Sequence, residues 1–384
     1  MTDPVIPALD GVPSRAGAVL VIDLGALAAN WRDLAARVAP AECGAVVKAD
    51  AYGLGAGPVA RRLLAEGAHT FFVADTEAGM ALRTVLPAMQ PEPRIVVLHG
   101  VPPGAAPDLA AARLLPALNT LGDLERWRAE GQRRGAPLPC FVHIDTGMNR
   151  LGLTAAELDT LAGDADRLLA GVRVESWMSH LACADHPADP MTKTQLGRFR
   201  AALARLPAAR ASLANSAGIF HGRDYHFDLV RPGIALYGPN PAPWTENPMR
   251  PVVRVFARIH QVRPVSAGDT VGYDATHRIG RPGRIAALGM GYADGYPWAL
   301  SGRGAALFGG AYRAPLVGRV SMDLLTADVT DVPEQFLAEG GWAEVIGPHR
   351  PVDTAATEAG TIGYEVLTRL GSRYHRVHLD GPGG

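Results

Sequence analysis

The chain has 384 residues, 48% of them hydrophobic, and a formal net charge of −1 with no long run of either sign. That length exceeds an ordinary single domain and supplies enough apolar material for two cores. The balanced charge removes the basic footprint of a nucleic-acid or membrane-surface binder and favours a small-molecule ligand. Cys43, Cys140 and Cys183 are odd in number, far apart and without metal-ligand spacing. Neither a disulfide framework nor a metal site is therefore expected. The first fifteen residues carry no lysine-flanked apolar core, and no stretch reaches the ~20 apolar residues of a membrane span, which points to a cytoplasmic protein.

The opening dozen residues are expected to carry no regular element. From residue 18 to 240, short β-rich runs alternate with alanine- and leucine-rich helical ones. Strands are expected at 19–23, 44–49, 70–74, 94–98, 114–118, 140–145, 171–179, 211–215 and 229–237. Helical patterns at 27–38, 58–66 and 195–206 lie between them. This alternation predicts parallel βαβ units, and about eight of them predict a (β/α)8 barrel over 12–245. After Gly238-Pro239-Asn240-Pro241-Ala242-Pro243 the texture changes. Runs at 252–265, 283–290, 305–308, 315–329 and 342–346 are separated by Gly, Pro and Asp turns. Residues 246–384 are thus expected to form a mainly β C-terminal domain.

The most distinctive segment is Val46-Val47-Lys48-Ala49-Asp50-Ala51-Tyr52-Gly53-Leu54-Gly55. Lys48 ends an apolar strand run, which aims its amine at the strand's C-terminal end, where α/β folds bind ligands. A lysine amine forms a Schiff base with an aldehyde cofactor when burial or nearby cations populate its neutral form. The run over 45–55 closely resembles the cofactor-lysine motif of alanine racemases, in which Asn and His often stand at the places of Asp50 and Leu54. Ile144-Asp145-Thr146-Gly147-Met148-Asn149-Arg150-Leu151-Gly152 is similar to a second segment of that family, and the likeness continues in order to Tyr364.

The resemblance implies pyridoxal 5'-phosphate as cofactor, with Lys48 joined to it and the Tyr52 hydroxyl on its phosphate. Further phosphate contacts are implied for Ser216, Gly233, Ile234 and Tyr364, supported by Asn215. The arginine of Leu229-Val230-Arg231-Pro232-Gly233-Ile234 is implied to face the pyridine nitrogen. A guanidinium donates a hydrogen bond without surrendering its proton, so the ring nitrogen stays unprotonated and the carbanion short-lived.

Racemisation moves a proton off one face of Cα and onto the other, which two opposed bases accomplish most simply. The resemblance assigns them to Lys48 and to Tyr273 of Val271-Gly272-Tyr273-Asp274-Ala275-Thr276, with His180 and Arg231 as a relay. It assigns the substrate carboxylate to Arg150 and the Met322 amide, and the mouth of the site to Tyr292. It also implies a homodimer with shared active sites, in which Tyr273 and Met322 serve the partner's Lys48. The implied reaction interconverts L- and D-alanine and supplies D-alanine for peptidoglycan.

One departure stands at His143. Many family members have a lysine there, whose carbamate orients the arginine corresponding to Arg150. Histidine forms no such carbamate, so His143 or a bound anion such as chloride is expected to take the orienting role. Two other functions compete. A basic amino-acid decarboxylase of the same barrel would use glutamate where Arg231 stands, whereas a racemase of broader specificity shares the motifs. A non-enzymatic pyridoxal phosphate carrier would end near residue 240, without Tyr273.

Overall fold

The computed structural model describes residue 9 and residues 11–86 and 89–380. The expectation for the opening dozen residues falls largely outside these. Strands β1 (Ala18–Asp23), β2 (Glu42–Cys43), β3 (Ala45–Val46), β4 (Thr70–Val73), β5 (Arg94–Val97), β6 (Leu115–Leu118), β7 (Leu138–His143), β8 (Val172–Met178), β9 (Arg210–Ser212) and β10 (Leu229–Val230) occupy the first part of the chain. β3 to β9 form one parallel sheet in chain order. β2 lies one residue before β3 and pairs in parallel with β10. Asp228 N donates to Ala211 O and Arg231 N to Ala214 O, tying β10 to the β9 side. The sheet thereby closes on itself as the expected (β/α)8 barrel.

The barrel strands are short and apolar because both of their faces are covered. Phe71, Phe72, Ile95, Val96, Val97 and Phe141 are all buried. The surrounding helices begin at side-chain caps that satisfy otherwise orphaned amides. Asp23 accepts from Ala26 N to start Leu24–Val38, and Thr120 accepts from Asp123 N to start Leu121–Arg134. Among the described residues, no helix is long and apolar enough to cross a membrane.

The C-terminal domain is mainly β, as expected. It contains β11 (Val253–Val265), β12 (Thr270–Val271), β13 (His277–Arg278), β14 (Gly283–Leu288), β15 (Ala305–Phe308), β16 (Tyr312–Pro315), β17 (Leu325–Asp328), β18 (Trp342–Ile346) and β19 (His375–Leu379). Its sheet runs β16-β15-β18-β11-β1-β19, and β14 and β17 continue from the far end of the long β11.

Three strand expectations change. The run at 19–23 reads as the first barrel strand, yet β1 lies between β11 and β19 in the C-terminal sheet. Leu20 and Ile22 enter the main core while Val19 and Val21 pack with Phe256 on the other face. A strand covered on both faces has the same continuous apolar pattern in either sheet. The run at 229–237 is shorter than expected, because Pro232-Gly233 ends the strand and Ile234–Tyr237 turns into a 3-10 helix. Likewise, 315–329 is divided between the end of β16 and β17, with a loop over 316–324 that bears Met322.

The helix Gly363–Thr368 carries the second domain onto the barrel mouth. Its Leu367 carbonyl would lie 2.6 Å from a Cβ at Gly53, whose φ of 83° already favours glycine. Tyr364 is thereby set beside Tyr52, with ring centroids 6.1 Å apart.

Candidate active site

Lys48 follows β3 after one residue, at the ligand-binding end of the barrel. The chain then makes a left-handed turn through Ala49, Asp50, Ala51 and Tyr52, with φ of 53°, 53°, 52° and 57°. For L-residues this conformation costs about 1–2 kcal/mol each. Ala51 N bonds to Val47 O at 2.9 Å and Gly53 N to Ala49 O at 2.8 Å. The Asp50 carboxylate accepts from Ala56 N at 2.7 Å and starts the next helix. Backbone strain held in this way is a mark of functional segments. Its effect is to put Lys48 and Tyr52 on one cavity.

That cavity measures about 100 Å³. It is lined by Lys48, Tyr52, His180, Asn215, Ser216, Arg231, Gly233, Ile234 and Tyr364, so the fold gathers all the residues expected around the cofactor. Val46, Phe72 and Leu98 supply apolar walls. Another cavity, about 150 Å³, lies by Tyr237, Met249 and Pro351 and offers no lysine, histidine or cysteine.

At one end of the Lys48 cavity the donors converge. Ser216 Oγ accepts from Gly233 N at 2.9 Å and Ala235 N at 3.2 Å, and Asn215 Oδ1 accepts from Gly218 N at 2.9 Å. A Cβ at Gly233 would fall 2.2 Å from Tyr52 Oη. Tyr52 stacks on Tyr237 with centroids 4.5 Å apart, and Tyr237 Oη donates to Val46 O at 2.9 Å. Burial pushes the Tyr52 and Tyr364 phenols above their usual range, which keeps both as neutral donors. Two hydroxyl donors, a serine and a glycine cleared of side chain fit the terminal oxygens of a phosphate monoester.

Arg231 is buried and held on several sides. Nη1 donates to Ser212 Oγ at 2.5 Å, while Nη2 donates to Ser179 O at 2.5 Å and Leu213 O at 3.2 Å. Burial lowers its pKa to about 10, which leaves it a cation at neutral pH. The His180 imidazole is pushed well below its usual range by burial, Arg231 and Arg150. Burial, and then Arg150, lower the Lys48 ammonium as well. A half-buried lysine with a depressed pKa, on a cavity with phosphate donors, fits a phosphorylated aldehyde.

Arg150 is exposed, and among the described residues it makes no hydrogen bond or ion pair. The expected orienting contact from His143 is not formed. His143 Nδ1 instead lies 2.8 Å from Asn119 Oδ1, a buried partner that the sequence reading passed over. Burial and the Arg231 cation lower the His143 pKa to about 4. Asn119 follows β6 directly, and a polar residue just past an apolar barrel strand is the signal that would have found it.

Tyr273, Tyr292 and Met322 do not line the Lys48 cavity; they are 68%, 43% and 53% exposed. They sit on three linked turns of the C-terminal domain. Asp274, next to Tyr273, pairs with Arg319 Nη1 at 2.5 Å, and the Arg319 guanidinium lies over Trp298. Tyr292 N and Ala293 N bond to Ser321 O and Met322 O, each at 3.0 Å. Arg319 and Trp298 have no distinctive sequence signal, since their partners come from separate turns.

Residues 22–241 match the family described as alanine racemase, N-terminal domain, and residues 252–378 match alanine racemase, C-terminal domain. The chain is 49% identical over 368 residues to an alanine racemase of Methylobacterium nodulans, covering 96% of this chain and 98% of that protein. It is 46% identical to a protein of Mesorhizobium japonicum named alanine racemase, catabolic, over 96% of this chain and 95% of the other. Among solved structures, alanine racemase from Bartonella henselae with covalently bound pyridoxal phosphate superposes with a TM-score of 0.90 at 41% identity. That match covers 95% of this chain and all of the other. On this sequence and fold, the chain belongs to the alanine racemase family.

Proposed function

We propose that this protein interconverts L- and D-alanine with pyridoxal phosphate, using two opposed bases, one of them from a second subunit. The observation that carries the reading is the cavity itself, where a lysine with a lowered pKa, a phosphate-binding end and a fixed guanidinium meet. Pyridoxal phosphate, when bound, supplies the electron sink that acidifies the α-hydrogen of an amino acid. Lys48 would hold its aldehyde carbon. Tyr52, Ser216, Tyr364, Gly233 and Ile234 would hold its phosphate, with Asn215 bracing Gly218.

Arg231 acts at the ring nitrogen as a donor that keeps its proton. An acidic partner would instead protonate that nitrogen and favour transamination. Lys48, free as an amine while substrate is bound, takes or returns a proton on one face of Cα. Within the cavity the phenols are held neutral and His180 Nδ1 already faces Arg231, so the opposite proton needs another source. Tyr273 stands exposed on the C-terminal domain, suited to serve the cavity of the partner subunit. Arg150 and the Met322 amide neutralise the carboxylate, and Tyr292 narrows the mouth.

The test is purified protein loaded with pyridoxal phosphate and followed by polarimetry on L-alanine, L-serine and L-lysine. Rapid loss of optical rotation with alanine is expected. Turnover of lysine without alanine would replace this reading with the broader racemase. We further propose a cytoplasmic role in supplying D-alanine for peptidoglycan. A relative named catabolic makes growth of a deletion strain without added D-alanine the deciding observation.

A further inference from the structure

The turns that carry Tyr292 and Met322 meet through backbone bonds, and these two residues are both more than a third exposed. Behind them each turn presents a carboxylate, Asp294 on one and Asp323 on the other. Asp294 is buried, accepts from Gly291 N at 2.8 Å, and its pKa is raised by burial and by Asp323. Two facing carboxylates would drive the turns apart. Arg373 lies between them, with Nε 3.1 Å from Asp294 Oδ1 and Nη2 2.8 Å from Asp323 Oδ1.

We infer that Arg373 is a positioning residue that clamps the Tyr292 and Met322 turns into one substrate-facing platform. The segment that brings it there is itself fixed. Gly371 N donates to Asp294 O at 3.1 Å, and a Cβ at Gly295 would collide with Arg369 O. A forked guanidinium spans two carboxylates from a single side chain, which an ammonium does less well. Tyr364 lies nine positions before Arg373, so one short segment lines its own subunit's cavity and backs the platform.

The inference rests on the assignment of Met322 to the substrate carboxylate, and the experiment separates the two. Amide hydrogen exchange is measured on the full-length protein without cofactor, for wild type, Arg373→Ala, Arg373→Lys and Asp323→Asn. Arg373→Ala is expected to speed exchange at 291–293 and 321–323 about tenfold, the worth of a charge-assisted bond, and to leave 45–55 unchanged. The loaded enzyme should show KM for alanine raised about tenfold with kcat little altered, because a carboxylate contact persists from ground state to transition state. Arg373→Lys should recover part of both effects. Asp323 is half exposed, so Asp323→Asn removes one arm with little risk to folding and should move the same amides.

Unchanged exchange in Arg373→Ala and Asp323→Asn overturns the clamp. Faster exchange with unchanged KM overturns its role in substrate binding by removing the assignment of Met322. A wild-type protein that leaves alanine unracemised removes the proposed function, and the exchange data then still decide whether the clamp exists.

Discussion

Arg231 Nη2 lies 3.3 Å from His180 Nδ1, so a buried cation fixes which form of the imidazole is present. A nitrogen that faces a guanidinium must be an unprotonated acceptor. Replacing Arg231 with Gln should raise the His180 pKa, since burial would remain and the repulsion would go. Nitrogen-15 NMR of labelled histidines checks this. A His180 that titrates identically in both proteins would rule out the proposed relay.

The two assigned bases differ in what their loss removes. Lys48→Ala should leave no covalent mass on the protein after borohydride reduction with pyridoxal phosphate. Tyr273→Phe should keep that mass and lose racemisation by about 10²–10⁴-fold, the usual worth of a general acid or base. Mass spectrometry and polarimetry together read both outcomes. A Tyr273→Phe protein of wild-type rate would end the two-base reading.

Gly233 has a φ of −121°, outside the left-handed region that favours glycine. The obstacle is steric, because the new methyl would lie 2.2 Å from Tyr52 Oη. Overpacking of about 1–3 kcal/mol would weaken pyridoxal phosphate binding by about 10–100-fold. Fluorescence titration of the cofactor-free protein measures it. Unaltered affinity would place the phosphate elsewhere.

His143 should make folding stability depend on pH. Its folded pKa is lowered from 6.5 to about 4, so the unfolded chain takes up the proton first as pH falls. Stability from neutral His143 is complete above the unfolded value and declines between pH 6.5 and about 4, by at most ~3 kcal/mol. Urea titrations at pH 7.5 and 5 should show a smaller pH effect in His143→Gln than in wild type. Equal slopes would show that another group carries the dependence.

Sites shared between subunits, as proposed, would make activity depend on protein concentration. Specific activity should fall on dilution, in step with dissociation measured by analytical ultracentrifugation. Mixing inactive Lys48→Ala with inactive Tyr273→Phe should restore activity, since some hybrid sites would combine an intact lysine with an intact tyrosine. A fully active monomer would exclude the arrangement.

Much of this was legible in sequence because the informative residues are close together. Lys48 and Tyr52 lie within one turn, and Arg231, Gly233 and Ile234 follow one strand, so motif and geometry coincide. Asn119, Ser179 and Ser212 escaped notice because their work consists of holding His143 or Arg231, residues distant in the chain. β1 was assigned to the barrel because burial on both faces erases the alternation that would distinguish the sheets. The contact expected from His143 to Arg150 is not formed, for a reason no spacing encodes: the His143 Nδ1 is occupied by Asn119.

The placement of β1 between β11 and β19 also governs how the chain can mature. β1 leaves the ribosome before every barrel strand, while β11 and β19 leave after them. A newly made β1 therefore waits, with both apolar faces uncovered, through synthesis of the whole barrel. The platform bearing Tyr292 and Met322 hangs on β14 and β17 of that same late sheet. The barrel's share of the cofactor cavity, from Lys48 to Ile234, is thus complete in the nascent chain before Tyr273, Met322 and Tyr364 are made.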